Sequence, residues 1–192
     1  MKNTQLRLIN GLLFSTKDAA EALDLELASA KVACHRYARN GILIRLKKDL
    51  YMLEENWRTA DVLQMYRIAN RLQVPSYISL MTALAFYEIT SQVQQGFTES
   101  VAVMRSKRIE IKDQVFRFTK LNPGLYGDFV KQKDFFIATP EKAFLDALYL
   151  TSINRYRLNT ENLDIKKLDR QRLTILAKKF PQKTKELLKK VV

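Results

Sequence analysis

Apolar positions recur along this chain with two periods, and each change of period marks a new element. Residues of about 3–13 read as a first helix. A second starts at Ser15/Thr16, where Ser15 and Asp18 have capping-box spacing, and runs to Leu23. Asp24-Leu25 makes a tight turn into a third helix over about 27–40. Ala30, Ala33, Cys34, Tyr37 and Ala38 share one face of that helix by 3.6-residue spacing. Its other face carries Ala28, Lys31, Val32, His35 and Arg39, with Arg36 alongside. Gly41 suits the left-handed position that ends a helix. The period then falls to two: Ile42, Ile44 and Leu46 alternate with Leu43, Arg45 and Lys47, as in a half-exposed strand. Lys48-Asp49 turns the chain, and Leu50–Leu53 returns as the second strand of a hairpin.

A boundary is expected near Glu54-Glu55-Asn56, giving domains of 1–56 and 57–192 with no flexible linker between them. The second begins with a helix over about 58–72 and a small-residue helix of about 79–88, capped by Ser76 or Ser79. Strands are expected at 100–104, 108–112 and 115–121, with Lys112-Asp113-Gln114 as the middle turn. IATPEKAFLDALYL opens a helix with Thr139 as N-cap, Pro140 at the first position and Glu141 in the first turn. Two basic helices close the chain, about 167–180 and 182–191, with Pro181 opening the second. The expected fold class is α+β: an N-terminal winged helix-turn-helix domain, then a mixed α+β domain with a small sheet and basic C-terminal helices.

Charge sharpens this picture. The 192 residues carry a net charge of +13. Residues 1–56 hold nine Lys/Arg against seven Asp/Glu, and residues 151–192 hold twelve against four. A basic field of this size favours polyanions, chiefly nucleic acid, through counterion release. In the N-terminal domain the charge presented by helix three and the hairpin matters more than the sum. Ala28, Ser29, Lys31, Val32, His35, Arg36 and Arg39 would meet a major groove, while Arg45, Lys47 and Lys48 on the wing would press on the neighbouring backbone. Double-stranded DNA is the expected partner.

Other chemistries find little support. The single cysteine, Cys34, excludes an internal disulfide and suits a reducing cytosol, and with one histidine no Cys/His zinc site can form within a chain. No apolar run is long enough to span a bilayer, and the N-terminus lacks the pattern of a signal peptide, so no membrane association and a cytoplasmic location are expected. P-loop, GxGxxG, HExxH and nucleophile-elbow motifs are absent, and neither enzymatic activity nor a cofactor is expected. One alternative is a metal-dependent nuclease with a DNA-targeting winged helix. In the strand IEIK, Glu110 and Lys112 would share a face, with Asp61 as the nearest upstream acid. Another is a winged helix that binds protein.

Three stretches in order resemble the AbiEi family of antitoxins, transcriptional regulators of type IV (abortive-infection) toxin–antitoxin systems. GILIRLKKDLY resembles the family's wing, Gly-hydrophobic-hydrophobic-x-Arg-hydrophobic-x-basic-Gly-x-Tyr. PSYISLMTALAFYEI is similar to its Pro-x-Tyr-hydrophobic-Ser opening and small-residue helix. IATPEKAFLDALYL is similar to its Ala-Thr-Pro-Glu-Lys-Ala-hydrophobic-hydrophobic-Asp block. The resemblance covers most of residues 12–150. It implies an N-terminal domain that binds and represses its own operon's promoter, and a C-terminal domain that carries antitoxin function and can assist repression. The implied functional partner is a nucleotidyltransferase-like toxin, neutralised without a stable complex. The chain departs from the pattern at Asp49, where the wing turn usually has Gly, and at Glu26, where the recognition helix usually opens with Ser or Thr. Val32 and Ala33 replace a basic-aromatic pair, so the operator sequence does not carry over from relatives.

Overall fold

The computed structural model describes residues 2–92 and 95–191, with side chains from Thr4 onward. The chain forms two compact units, 1–68 and 69–192, so the division falls inside a helix, past the expected Asn56.

The first unit opens with a short 3-10 helix, Lys2–Leu8, instead of the longer helix expected to residue 13. Gly11 adopts a φ of 129°, a conformation that helix cannot accommodate. Helices α1 (Thr16–Leu23) and α2 (Leu27–Arg39) follow, then the hairpin β1 (Leu43–Lys47) and β2 (Leu50–Leu53), and α3 (Glu54–Arg58). Local chemistry explains each boundary. The Ser15 hydroxyl accepts the Asp18 N–H at 3.2 Å, and the Asp18 carboxylate accepts the Ser15 N–H at 2.7 Å, completing the expected capping box. Asp24 takes the left-handed conformation at the end of α1, and the Leu25 N–H reaches back to the Ala20 carbonyl at 3.0 Å. Gly41 ends α2 in the same way: the Ile42 N–H donates to Tyr37 and the Gly41 N–H to Ala38, the Schellman pattern. Leu6, Phe14, Ala19, Leu23, Ala33, Cys34, Tyr37, Leu43, Tyr51 and Leu53 form the core.

Helix α4 (Val62–Leu72) spans the division between the units. The second unit holds β3 (Ser76–Ile78), α5 (Leu80–Phe86), β4 (Phe97–Ala102), β5 (Lys107–Ile111), β6 (Gln114–Lys120), β7 (Phe129–Gln132) and β8 (Phe135–Ala138). Helices α6 (Pro140–Ser152), α7 (Arg170–Ala177) and α8 (Gln182–Val191) complete it. Its six strands form one mixed sheet, in the order β5-β6-β4-β3-β8-β7. That sheet is larger than expected, because β3, β7 and β8 join the three anticipated strands. Residues 76–78 are strand rather than helix cap, and the Ser79 hydroxyl makes no cap bond to α5. The middle of α6, Glu141 to Leu150, is buried on every side, with α5 packed against it, then α7 and α8. The terminal helices bury Leu173, Leu176, Ala177 and Phe180, and Lys178, Lys179, Lys183, Lys189 and Lys190 remain exposed.

Candidate nucleic-acid interface

Helix α2 divides as its sequence predicts. Ala30, Ala33, Cys34 and Tyr37 are buried, whereas Ala28, Ser29, Lys31, Val32, His35, Arg36 and Arg39 are exposed or partly so. Burial raises the Cys34 thiol pKa, with a smaller push from the Asp49 charge, so the sulfur sits in the core as a neutral thiol. No side chain caps the start of α2, because Glu26 occupies the cap position without bonding to it. The departure at Glu26 therefore has a structural counterpart.

The hairpin is tied to α1 rather than hanging free. Phe14 and Tyr51 exchange backbone hydrogen bonds at 3.0 and 2.9 Å, adding a third short strand segment beside β2. Asp49 occupies the hairpin turn at φ 56°, the left-handed conformation that glycine would otherwise supply. Its carboxylate accepts the Thr16 N–H at 2.8 Å. Hydrogen bonds from the Thr16 side chain and backbone hold the Asp49 carboxyl below its usual range, with Lys48 helping and partial burial opposing.

Between these elements lies a groove of about 540 Å³. Thr16 and Lys17 from α1, Leu27, Lys31 and His35 from α2, and Arg45, Lys48, Asp49 and Tyr51 from the hairpin line it. Four cations thus face one carboxylate that is already engaged by Thr16. The groove brings together Lys31, His35, Arg45 and Lys48 of the expected interface residues. Ala28, Ser29, Val32, Arg36, Arg39 and Lys47 lie outside it on exposed surface, and the Arg36 guanidinium rests 5.5 Å from the centre of the Tyr37 ring. Lys17 is an addition that the sequence did not single out; its place one residue after the Asp49-bound Thr16 is visible only once the hairpin folds back.

The acid-x-Lys strand does not form as expected. Strand β5 ends at Ile111, and Lys112 enters the turn with φ 51°, so it leaves the register that would align it with Glu110. The Glu110 carboxylate instead accepts from Arg108 at 2.7 Å. Asp61 caps α4, exchanging backbone-to-side-chain hydrogen bonds with Gln64 at 2.7 and 2.8 Å. Among the described residues, no three His, Cys, Asp or Glu side chains gather to hold a metal ion. No helix of the described residues is long and apolar enough to cross a membrane.

The two other stretches of the family resemblance meet in the second unit. Lys142 and Asp146, one turn apart on α6, are 1% and 0% exposed and form an ion pair. The Lys142 ammonium also donates to the Tyr77 hydroxyl at 2.8 Å, and Tyr77 and Ser79 donate to Asp146 at 3.0 and 2.9 Å. Burial pushes the Asp146 carboxyl up, against the pull of Lys142 and the two hydroxyls. This buried cluster joins the β3 segment to α6.

The chain is similar to the RV2827C protein from Mycobacterium tuberculosis, known from a crystal structure. The two share 11% sequence identity and a TM-score of 0.63, over 97% of this chain and 74% of that one. At this identity the likeness concerns the fold alone. No family model and no curated protein matches the chain.

Proposed function

We propose that the first unit is a winged helix-turn-helix domain that binds double-stranded DNA, and that the chain represses its own operon as the antitoxin of a type IV system. The observation that carries the DNA half is the groove where Lys17, Lys31, Arg45 and Lys48 converge from three elements, with the hairpin anchored to α1 beside them. Helix α2 is the recognition helix in this reading, and the hairpin is the wing. The antitoxin half, and the nucleotidyltransferase-like toxin that it would counteract without a stable complex, rest on the resemblance of the wing, PSYIS and ATPEKAFLD stretches.

The test is a reporter driven by the DNA upstream of the chain's own coding sequence, paired with a toxicity assay using a nucleotidyltransferase-like toxin of the kind this reading implies. Wild type is expected to repress and to protect. K31E combined with R36E is expected to lose repression and keep protection. Repression retained in that variant overturns the recognition-helix assignment, and failure of wild type to protect overturns the antitoxin assignment.

A specific observation favours a second reading, a protein-binding winged helix. Leu27 and Val32 are 58% and 67% exposed on the outer side of α2, where a purely electrostatic surface needs neither. Absence of any salt-sensitive DNA binding would select it.

A further inference from the structure

The second unit carries a different basic site, at the edge of its sheet. Strand β5 lies at one end of the sheet and pairs with β6, which pairs in turn with β4. The register sets Arg108 directly opposite Arg117, and Arg117 opposite Glu99. Like charges directly opposite across two strands destabilise the pairing. The sheet tolerates them here, and the surroundings show how.

Glu99 is 2% exposed, and the Tyr156 hydroxyl donates to its carboxylate at 2.9 Å. Burial pushes the Glu99 carboxyl up, while the Tyr156 hydroxyl and the Arg117 charge draw it back down. The Tyr156 ring, fixed by that bond, lies 5.9 Å from the Arg117 guanidinium carbon, a cation–π distance. The Arg117 guanidinium therefore rests over the Tyr156 ring, close enough to the buried Glu99 carboxylate to act on it electrostatically. The next residue before Tyr156 is Arg155, placed by the turn that ends α6, where its N–H bonds the Leu150 carbonyl at 2.8 Å.

These side chains border an open pocket of about 500 Å³, lined by Ser106, Lys107, Arg108, Arg117, Thr119 and Arg155, with Phe118 behind. Four of those residues are cations and none is an acid. Arg108 is paired with Glu110, but the Lys107 and Arg155 side chains have no hydrogen-bond or ion-pair partner among the described residues. Arginine forks match phosphate oxygens, and a concave site with several cations concentrates that match.

We propose that this pocket binds a phosphate ester, with Arg117 as its positioned anchor and Arg155 and Lys107 closing on the anion. Both a free nucleotide and the backbone of a nucleic-acid strand present that chemistry. The site lies wholly within the second unit and stands independently of the α2 groove.

The test uses the full-length chain carrying K31E and R45E, which disables the α2 groove so that the two sites fail separately. Calorimetric titration at low salt is run with adenosine triphosphate in one arm and a short single-stranded oligodeoxynucleotide in the other. Saturable binding is expected in at least one arm. Binding to the nucleotide alone identifies a free-nucleotide site, and binding to the strand identifies a backbone site. R155Q, on an exposed residue that the fold does not need, is expected to weaken binding about tenfold or more, since each charge-assisted bond contributes roughly 1.5–3 kcal/mol, and R155K to restore part of it. No saturable binding in either arm, or affinity unchanged by R155Q, overturns the proposal.

Discussion

The Asp49 carboxylate accepts the backbone N–H of Thr16 at 2.8 Å, across 33 residues of sequence. The turn of the hairpin and the first turn of α1 are thereby a single object. One residue adopts the left-handed turn and also satisfies a helix N-terminus that would otherwise lack a partner. Lys17 and Lys48, the chain neighbours of the two bonded residues, both line one groove. A glycine at this position would supply the turn and lose the anchor.

D49G and D49N separate those two roles. D49G keeps the turn and loses the acceptor, whereas D49N keeps the turn and a neutral acceptor. Near neutral pH D49G is expected to lower stability by about 1 kcal/mol and D49N by less, since a charge-assisted bond contributes less at this exposed site than in a core. The Asp49 carboxyl sits below its ordinary value in the fold, so its contribution is present above the unfolded carboxylate range and is lost as pH falls through the lowered value. The stability gap between wild type and D49N should close in acid. Denaturation followed by Trp57, the single tryptophan and a buried member of the first unit, reads it directly. A gap that widens in acid would assign the bond a different role.

Lys142 and Asp146 make a contrasting pair, since their i, i+4 spacing is also that of ordinary surface salt bridges. Replacing Lys142 with Met leaves a buried carboxylate with only the Tyr77 and Ser79 hydroxyls, and is expected to cost about 3–5 kcal/mol. Adding D146N removes the stranded charge, so the double variant should be more stable than K142M alone. Urea denaturation monitored by circular dichroism tests the order.

Much of the first unit was legible because its signals are local. Ser15 with Asp18, Gly41, and Asp49 each fix a boundary within a few residues. The second unit was harder. Strand β3 has only three residues and gains its place by pairing Ile78 with Ile137 and Ser76 with Ala102, partners far away in sequence. Strands β7 and β8 pair with each other through a two-residue turn at Lys133 and Asp134, where Lys133 takes φ 49° without any glycine to announce it. The basic pocket was illegible for the same reason, since Arg108, Arg117 and Arg155 converge only through strand register and the end of α6. Helical periodicity placed the exposed face of α2 correctly, whereas Leu43, which the strand alternation grouped with the exposed Arg45 and Lys47, is buried. Periodicity could not reveal that Lys17 of α1 would join the expected interface residues.

The turn at Gly41 gives a third prediction. Its φ is 72° and a β-carbon there would meet nothing within 4 Å, so the cost of a side chain is conformational only. G41A is expected to cost about 1 kcal/mol, and G41N less, because asparagine tolerates the left-handed region. Thermal unfolding of the two variants beside wild type checks the ranking.

For the nuclease alternative, the displaced Lys112 and the Arg108-bound Glu110 lead to a simple expectation. Incubation of the full chain with labelled DNA and Mg²⁺ or Mn²⁺ should give no cleavage. Cleavage that disappears in E110A would revive that reading.

The most direct measurement is the affinity of the full-length chain for duplex DNA from upstream of its own coding sequence, titrated against salt. Log affinity is expected to fall linearly with log salt concentration. K31E with R45E should weaken binding and reduce the magnitude of the slope by about 2, since each phosphate that a side chain neutralises accounts for roughly 0.9. Wild-type affinity and slope in that variant, or wild-type binding that ignores salt, would contradict the groove's role in DNA binding.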